Sequence, residues 1–391
     1  MKTTSRRLLA VAVLVALFGL AGCSSSDSNS SGNSNEIRIG LEAPLTGDQK
    51  DVGEGMLSGA QLAAAEINAA GGVNGKNITI VPIDDAADPA TGVAAAKSAI
   101  SGGLSAVVGP YNSGVGAKTL PLYIDAGLFP MRLTSADSTQ GLGFTLQPMT
   151  SQIAPVATNA ITKWAKATKV AVALIFDQTE SYTKDANTAM KTQLEAAGVT
   201  ITADLGIDPD ATDYTSAVSQ ALATNPQLVY VITYYREGGL IAKAMLGANT
   251  TARCMADYGA YDTGYVTTAG VAAAQNCPIV GVPAPGDFPN SASLVAAYAA
   301  KFNSAPGTWS PYTYDSVKML AEAGKSVGSF DSAKIRSFLL NQKGWTGWTG
   351  TVGFDGTTGN RLPAPVVVVS TRADGTLYVD SSWVTESGFT F

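Results

Sequence analysis

The sequence predicts an α/β protein made of two doubly wound lobes, each built on a parallel sheet. Three observations carry that prediction. From residue 36 onward, short apolar runs alternate with segments whose apolar residues recur at helical spacing. Alternation of strand and helix favours parallel pairing, because each helix returns the chain to the same sheet. The alternation also restarts near residue 150, and 391 residues with 46% hydrophobic side chains suffice for two cores of about 150–200 residues each.

Taken in order, EIRIGLEA (36–43) alternates as a first strand and Pro44-Leu45-Thr46-Gly47 ends it. Met56, Leu57, Ala60, Leu62–Ala64 and Ile67 give a helix over 53–70, stopped by Gly71-Gly72. NITIVPID (77–84) is the second strand. Its terminal Asp84-Asp85 pair reads as turn and capping residues rather than as a metal or acid–base site, and Asp88-Pro89 opens a helix to Ser101. LSAVVGPYNSGVGA (104–117) then carries a buried strand to Gly109-Pro110, and a helical pattern resumes at Val115 and continues to Ala126. This turn puts free backbone N–H groups, the positive end of a helix dipole, the Ser113 hydroxyl and the Tyr111 ring at one spot. Such a spot suits a small carboxylate with an apolar tail. An ordinary turn with a capping serine is the plainer alternative. A further strand, 128–133, runs into Thr134–Thr139.

The second lobe repeats the scheme. A helix over 152–167 precedes the strand KVAVALIF (169–176), a polar loop 177–182 and a helix 183–197. Strand 199–206, helix 214–223 and strand QLVYVIT (227–233) follow, the last ending in Tyr234-Tyr235-Arg236-Glu237. Helix 239–247, a short extended piece at 252–256 ending in Asp257-Tyr258-Gly259, and strand 278–282 complete the unit. Pro283–Pro289 reads as a crossover. Helices over 291–302, 312–327 and 331–341 come next, then GWTGWTG (344–350), a strand over 365–371 and an extended piece over 377–383. With too few strands for a third sheet, this segment returns to the first lobe and ends on the second. The expected division is 36–148 plus 283–345 for the first lobe and 149–282 plus 346–391 for the second.

Charge and composition narrow the function. The net charge is −6 with Lys and Arg dispersed, which argues against nucleic-acid binding. Histidine is absent, removing the commonest general base and the commonest zinc ligand. No metal or cofactor is expected. At the N-terminus, Lys2, Arg6 and Arg7 precede an apolar run from Leu8 to Leu20, too short for a standard membrane span and suited to an export signal. The following LAGC resembles a bacterial lipobox. That resemblance implies removal of residues 1–22, a lipid on Cys23 and anchoring at the outer face of the cytoplasmic membrane. The Ser/Asn/Gly-rich stretch to residue 35 reads as a tether, 23–35. The remaining cysteines, Cys254 and Cys277, form a reasonable disulfide in an exported chain, with two separate buried thiols as the alternative.

Several motifs together carry a family resemblance over about residues 36–380. They are IRIGLEAPLTGDQKDVG, GAQLAAAEINAAGGVNGKNITIVPIDDAADP, VVGPYNSGV, YDSVKMLAEA (314–323) and TGTVGFDGTTG (349–359). In these the chain resembles the solute-binding proteins of branched-chain amino-acid ABC transporters, the leucine/isoleucine/valine type with a type I periplasmic-binding fold. The resemblance implies two lobes joined by three crossings, a ligand clamped between them, and an ABC permease and ATPase as partners of a monomer.

Residue by residue, Ser113 matches the family serine that binds the ligand carboxylate, with Tyr111 and Asn112 lining the pocket. Ser138 matches a second hydroxyl at the head group. Tyr182 and Tyr234 match second-lobe aromatics, with Tyr235 an alternative to Tyr234. The acidic ammonium partner falls at Asp257 or Tyr258. Asp137 stands where the family often has alanine, so it either binds the ligand ammonium itself or is a solvated cap. Arg132 reads as a surface or lobe-contact residue, with a carboxylate-binding role as its alternative. Val52 replaces an aromatic wall, and the cysteines some relatives carry at positions 87 and 112 are here Ala87 and Asn112.

The expected function is capture of a small amino acid, branched-chain or related, for an ABC importer. Uptake of another small carboxylate or amide, or ligand sensing by an anchored receptor, are the alternatives. An enzyme is not expected. No Gly-x-Ser-x-Gly elbow surrounds Ser113 and no histidine exists to activate it.

Overall fold

The computed structural model describes residues 36–165, 169–289, 291–342 and 344–382. The expected signal segment, Cys23 and the expected tether lie outside the described residues. The first sheet holds β1 (Glu36–Ala43), β2 (Asn77–Asp84), β3 (Ala106–Val108), β4 (Pro130–Arg132) and β5 (Phe144–Thr145), in the order β2-β1-β3-β4-β5. Every pairing in it is parallel. Its helices are α1 (Lys50–Ala69), α2 (Pro89–Ser101) and α3 (Ser113–Asp125). The second half runs α4 (Thr150–Ala165), β6 (Ala171–Asp177), α5 (Ser181–Ala196), β7 (Thr200–Ile207), α6 (Thr215–Ala223), β8 (Leu228–Ile232), α7 (Tyr235–Gly247), β9 (Arg253–Ala256), α8 (Thr263–Ala269), α9 (Val271–Asn276) and β10 (Ile279–Gly281). There follow α10 (Ala292–Phe302), α11 (Ser310–Val327), α12 (Ser332–Asn341), β11 (Trp345–Gly347), β12 (Gly350–Phe354), β13 (Arg361–Leu362), β14 (Val367–Thr371) and β15 (Leu377–Val379). The second sheet is ordered β15-β14-β10-β9-β8-β6-β7, parallel except for β14 and β15.

Central strands are apolar on both faces because helices cover both sides of a parallel sheet. All five residues of β8, LVYVI, are buried. Each such side chain is worth roughly 2 kcal/mol of apolar burial. In α1, the helical spacing of Met56, Ala60, Ala63 and Ala64 makes one buried face, which packs on α11. The helices approach so closely that a Cβ on Gly59 would lie 2.2 Å from the Ser310 carbonyl oxygen. Thr313 Oγ1 also donates to the Met56 carbonyl at 2.7 Å. The 310–341 helices therefore return to the first sheet.

The antiparallel ribbon β11–β13 stays there too. Gly141 N donates to the Thr358 carbonyl and Thr145 N to that of Gly359. The chain's last passage to the second sheet thus runs between Leu362 and Val367, later than the boundary at 346 expected from the Gly-rich stretch. That stretch turns within the ribbon because Asp315, buried in α11, accepts from Trp348 N, Thr349 N and Thr349 Oγ1 and holds it down. Helices α8 and α9 had no counterpart in the sequence reading. Gly270, at φ +77°, breaks the pattern between them. The Cys254–Cys277 disulfide ties β9 to the end of α9 and closes a 23-residue separation, worth roughly 3 kcal/mol on a chain-entropy account.

Candidate functional site

The carboxyl ends of the two parallel sheets face each other, the usual place for a ligand in folds of this kind. At the end of β3, Gly109 adopts φ +101°, and a Cβ there would stand 2.0 Å from the Glu42 carbonyl oxygen. Only glycine makes this turn, and the turn delivers Tyr111, Asn112 and Ser113 to the start of α3. Asn112 is the N-cap but makes no side-chain cap bond, so the first-turn N–H groups of α3 are not closed by it. Ser113 is buried, and its Oγ accepts from Ala136 N at 3.1 Å.

Tyrosines come from the other side. Tyr182 lies in the first turn of α5, not in a preceding loop, and Tyr234 caps α7. The Tyr234 ring sits 6.2 Å from Tyr111 and 6.1 Å from Tyr182. Trp309 extends the cluster, 5.7 Å from Tyr111 and 5.4 Å from Tyr258. Tyr111, Ser113, Ser135, Gln147, Tyr182, Tyr234 and Tyr258 enclose a cavity of about 10 Å³, room for one water at most.

The residues that the sequence leaves as alternatives are placed differently by the fold. Tyr234 lines the cavity, whereas the Tyr235 hydroxyl reaches across to the Asp48 carbonyl. Tyr258 lines it too, whereas Asp257 is sealed behind Tyr182. The Asp257 carboxylate accepts from the Tyr182 hydroxyl at 2.7 Å and from the Tyr230 hydroxyl. Burial raises its pKa, opposed by those two bonds and by backbone N–H groups. Asn112 stands at the rim, its Nδ2 donating to Gln49 Oε1 at 3.0 Å and to the Tyr234 hydroxyl at 3.4 Å.

Asp137 and Ser138 do not line the cavity, contrary to the sequence reading. They sit on a 3-10 turn, 137–139, that carries Ser138 out to solvent. The Asp137 carboxylate accepts from Gln140 Nε2 and Ser151 Oγ. The cavity's polar wall is instead Ser135 and Gln147, which the sequence reading missed. Gln147 lies in the apolar stretch FTLQPM, where no periodicity distinguishes an inward amide. Arg132 is buried but faces away, donating to the Thr134 carbonyl and to Asn360 Oδ1 of the ribbon turn.

A larger cavity, about 470 Å³, opens beside the crossings among Phe288, Tyr314, Trp345 and Trp348. Its buried carboxylate, Asp315, has both oxygens occupied by the ribbon, and neither Ser113 nor the tyrosines around it line this cavity. The small cavity is the better candidate despite its size, because Gln147 Nε2 and the Tyr258 hydroxyl there are buried without hydrogen-bond partners.

Comparison with known proteins agrees with this fold. Residues 36–376 match the family model described as periplasmic binding protein. The Leu/Ile/Val-binding protein homolog 2 of Brucella abortus is 28% identical over 339 residues, covering 85% of this chain and 86% of that protein. A leucine-binding protein of Thermotoga maritima superposes with a TM-score of 0.80 at 20% identity, covering 88% of this chain and 97% of that one. The branched-chain amino-acid transporter substrate-binding protein of Streptococcus pneumoniae, solved with isoleucine, does so with a TM-score of 0.76 at 26% identity, covering 88% and 97%. The chain therefore belongs to the periplasmic binding protein family, as an extracytoplasmic, non-enzymatic solute-binding protein similar to those of branched-chain amino-acid ABC transporters.

Proposed function

We propose that the chain captures a small organic acid, an amino acid or a related carboxylate, between its two halves and delivers it to an ABC permease and its ATPase. The observation that carries this reading is the cavity at the start of α3. Ser113 and unpartnered polar groups meet there under a lid of tyrosines from the opposite half. The carboxylate sits at the helix N-terminus beside Ser113, and the apolar body lies against Tyr111, Tyr182 and Tyr234. A cavity of about 10 Å³ admits no such ligand. The halves must part for entry and close afterwards, which excludes water and strengthens the polar contacts. Ser138, Asp137 and Asp257 act from outside the head-group site in this reading. The chain works as a monomer held to the outer face of the membrane by a lipid on Cys23.

A thermal-shift screen against amino acids and small carboxylates tests the reading. A ligand at about a hundred times its Kd should stabilise the fold by about 2.7 kcal/mol. Ser113→Ala should cut that stabilisation to about a third without unfolding the protein. No shift across both compound classes would overturn it.

A further inference from the structure

The charge pattern of the cavity carries more than its location. Among the described residues, no charged side chain lines it. What lines it is a set of neutral groups able to donate. Gln147 is fully buried, its Oε1 accepts from Ser135 Oγ at 3.1 Å, and its Nε2 has no partner. The Tyr258 hydroxyl is buried and unpartnered as well. Ser113 Oγ accepts from Ala136 N and keeps its own proton to donate. An anionic acceptor would meet these groups, each charge-assisted bond being stronger than a neutral one.

An ammonium group finds no matching partner. Asp257, the nearest acid in sequence register, has both oxygens taken by Tyr182 and Tyr230 and lies behind the Tyr182 ring. Asp262 acts on Tyr111 and Asp177 on Tyr234, but neither lines the cavity, and each accepts from its own loop, Asp262 from Gly264 N and Asp177 from Thr179 N. Glu180 also acts on Tyr234. It is half-buried at the junction of the halves, with Oε2 3.8 Å from where a Cβ of Gly114 would stand, and it does not line the cavity. A primary ammonium enclosed among these rings would lose its hydration without gaining a carboxylate.

We propose that the ligand is a small carboxylate carrying no primary ammonium group, an aliphatic or aromatic monocarboxylic acid, and that Gln147 and Tyr258 join Ser113 around its head group. The proposal rests on reading this cleft as the ligand site.

Calorimetric titration of the protein with matched pairs tests it: propanoate and alanine, 4-methylpentanoate and leucine, 3-phenylpropanoate and phenylalanine. At least one acid should bind at least about tenfold more tightly than its amino acid. Gln147→Ala should weaken that acid about tenfold, and Gln147→Glu should abolish it by setting a carboxylate against a carboxylate. Unliganded melting temperatures of both variants check that they fold. Glu180→Gln should leave the preference unchanged. An amino acid that binds as tightly as its acid, and is lost in Ser113→Ala, overturns this inference and leaves the cleft reading intact. So does amino-acid binding that disappears in Glu180→Gln. Acid binding indifferent to both Gln147 and Ser113 overturns the inference and the cleft reading together, as does the absence of binding by any of the six compounds.

Discussion

The two walls of the cleft are built on opposite plans. The first wall, from the β3–α3 turn and the 133–147 segment, carries the cavity's small polar groups, Ser113, Ser135 and Gln147, beside Tyr111 and Leu133. The second is tall and aromatic, with Tyr182, Tyr234 and Tyr258. The difference extends behind each wall. Asp257, behind the tyrosines, receives a tyrosine hydroxyl on each oxygen. Behind the polar wall lie Glu42 and Asp85, both fully buried, with Glu42 Oε1 and Asp85 Oδ2 unpartnered. Glu42 is joined to α3 by Thr119 Oγ1 at 3.0 Å. The aromatic wall is thus pinned from behind by a fully bonded carboxylate, while the polar wall rests on an incompletely bonded acidic pair. In the proposed reading, one wall supplies fixed shape, and the other supplies recognition of the carboxylate on a support that contains buried, titratable carboxyls.

The largest effect should come from unpinning the aromatic wall. Asp257→Ala strands two buried tyrosine hydroxyls and should cost about 3 kcal/mol of stability, read from denaturant midpoints. A loss within experimental error would mean that the tyrosines hold themselves.

The support of the polar wall should show in pH dependence. Burial pushes the Asp85 carboxyl up to about 7, with the neighbouring Asp84 adding to it and a backbone bond from Ala87 opposing it. Glu42 is also raised, by burial first and by Asp85 second. A carboxyl raised in the fold favours folding below its unfolded value near 4, and that contribution is lost as pH rises through the folded value. Stability should therefore fall by about 2 kcal/mol between pH 5 and pH 8. Asp85→Asn should make that fall shallower, with Asp315, which burial pushes up to about 6, keeping part of it; an unchanged slope would place the titration elsewhere.

Recognition by the polar wall comes next in size. Ser113→Ala should weaken the bound acid about thirtyfold, near 2 kcal/mol for a hydrogen bond to a charged group, with little change in melting temperature. The smallest effect concerns how the walls are held together. Asp185, on α5, accepts from Asp137 N at 2.7 Å and from Thr150 Oγ1. Asp185→Ala should lower affinity about fivefold, near 1 kcal/mol, mainly by faster release. A slower on-rate instead would point to steering rather than latching.

These two walls were unequally legible in the sequence. Tyr111 and Ser113 could be read directly, because a strand end, Gly109-Pro110 and a helix start fix their position by local rules. Tyr182 and Tyr234 followed from the same logic in the second half, although α5 begins at Ser181 and absorbs Tyr182 into its first turn. Ser135 and Gln147 could not be read. Which hydroxyl of Thr134–Thr139 faces inward depends on the 3-10 turn at 137–139, and no periodic pattern announces one. Gln147 becomes notable only once folding buries its amide without a partner. The sheets were legible because apolar runs are long and local, whereas the ribbon at 345–362 is placed by tertiary bonds from Asp315 and Arg132.

A cross-link between the walls is the most direct test that a solute is held between them. An ideal Cβ on Gly114, at the start of α3, would stand 3.8 Å from the Cβ of Ser181, at the start of α5, which matches the usual Cβ separation of a disulfide, about 3.8 Å. Calorimetric titration of the Gly114→Cys/Ser181→Cys double variant with a ligand of the wild-type protein should show no binding when oxidised. Binding should return on mild reduction that leaves wild-type binding unchanged. Oxidised protein that binds as tightly as wild type would contradict the account, because the ligand would then not enter this cleft.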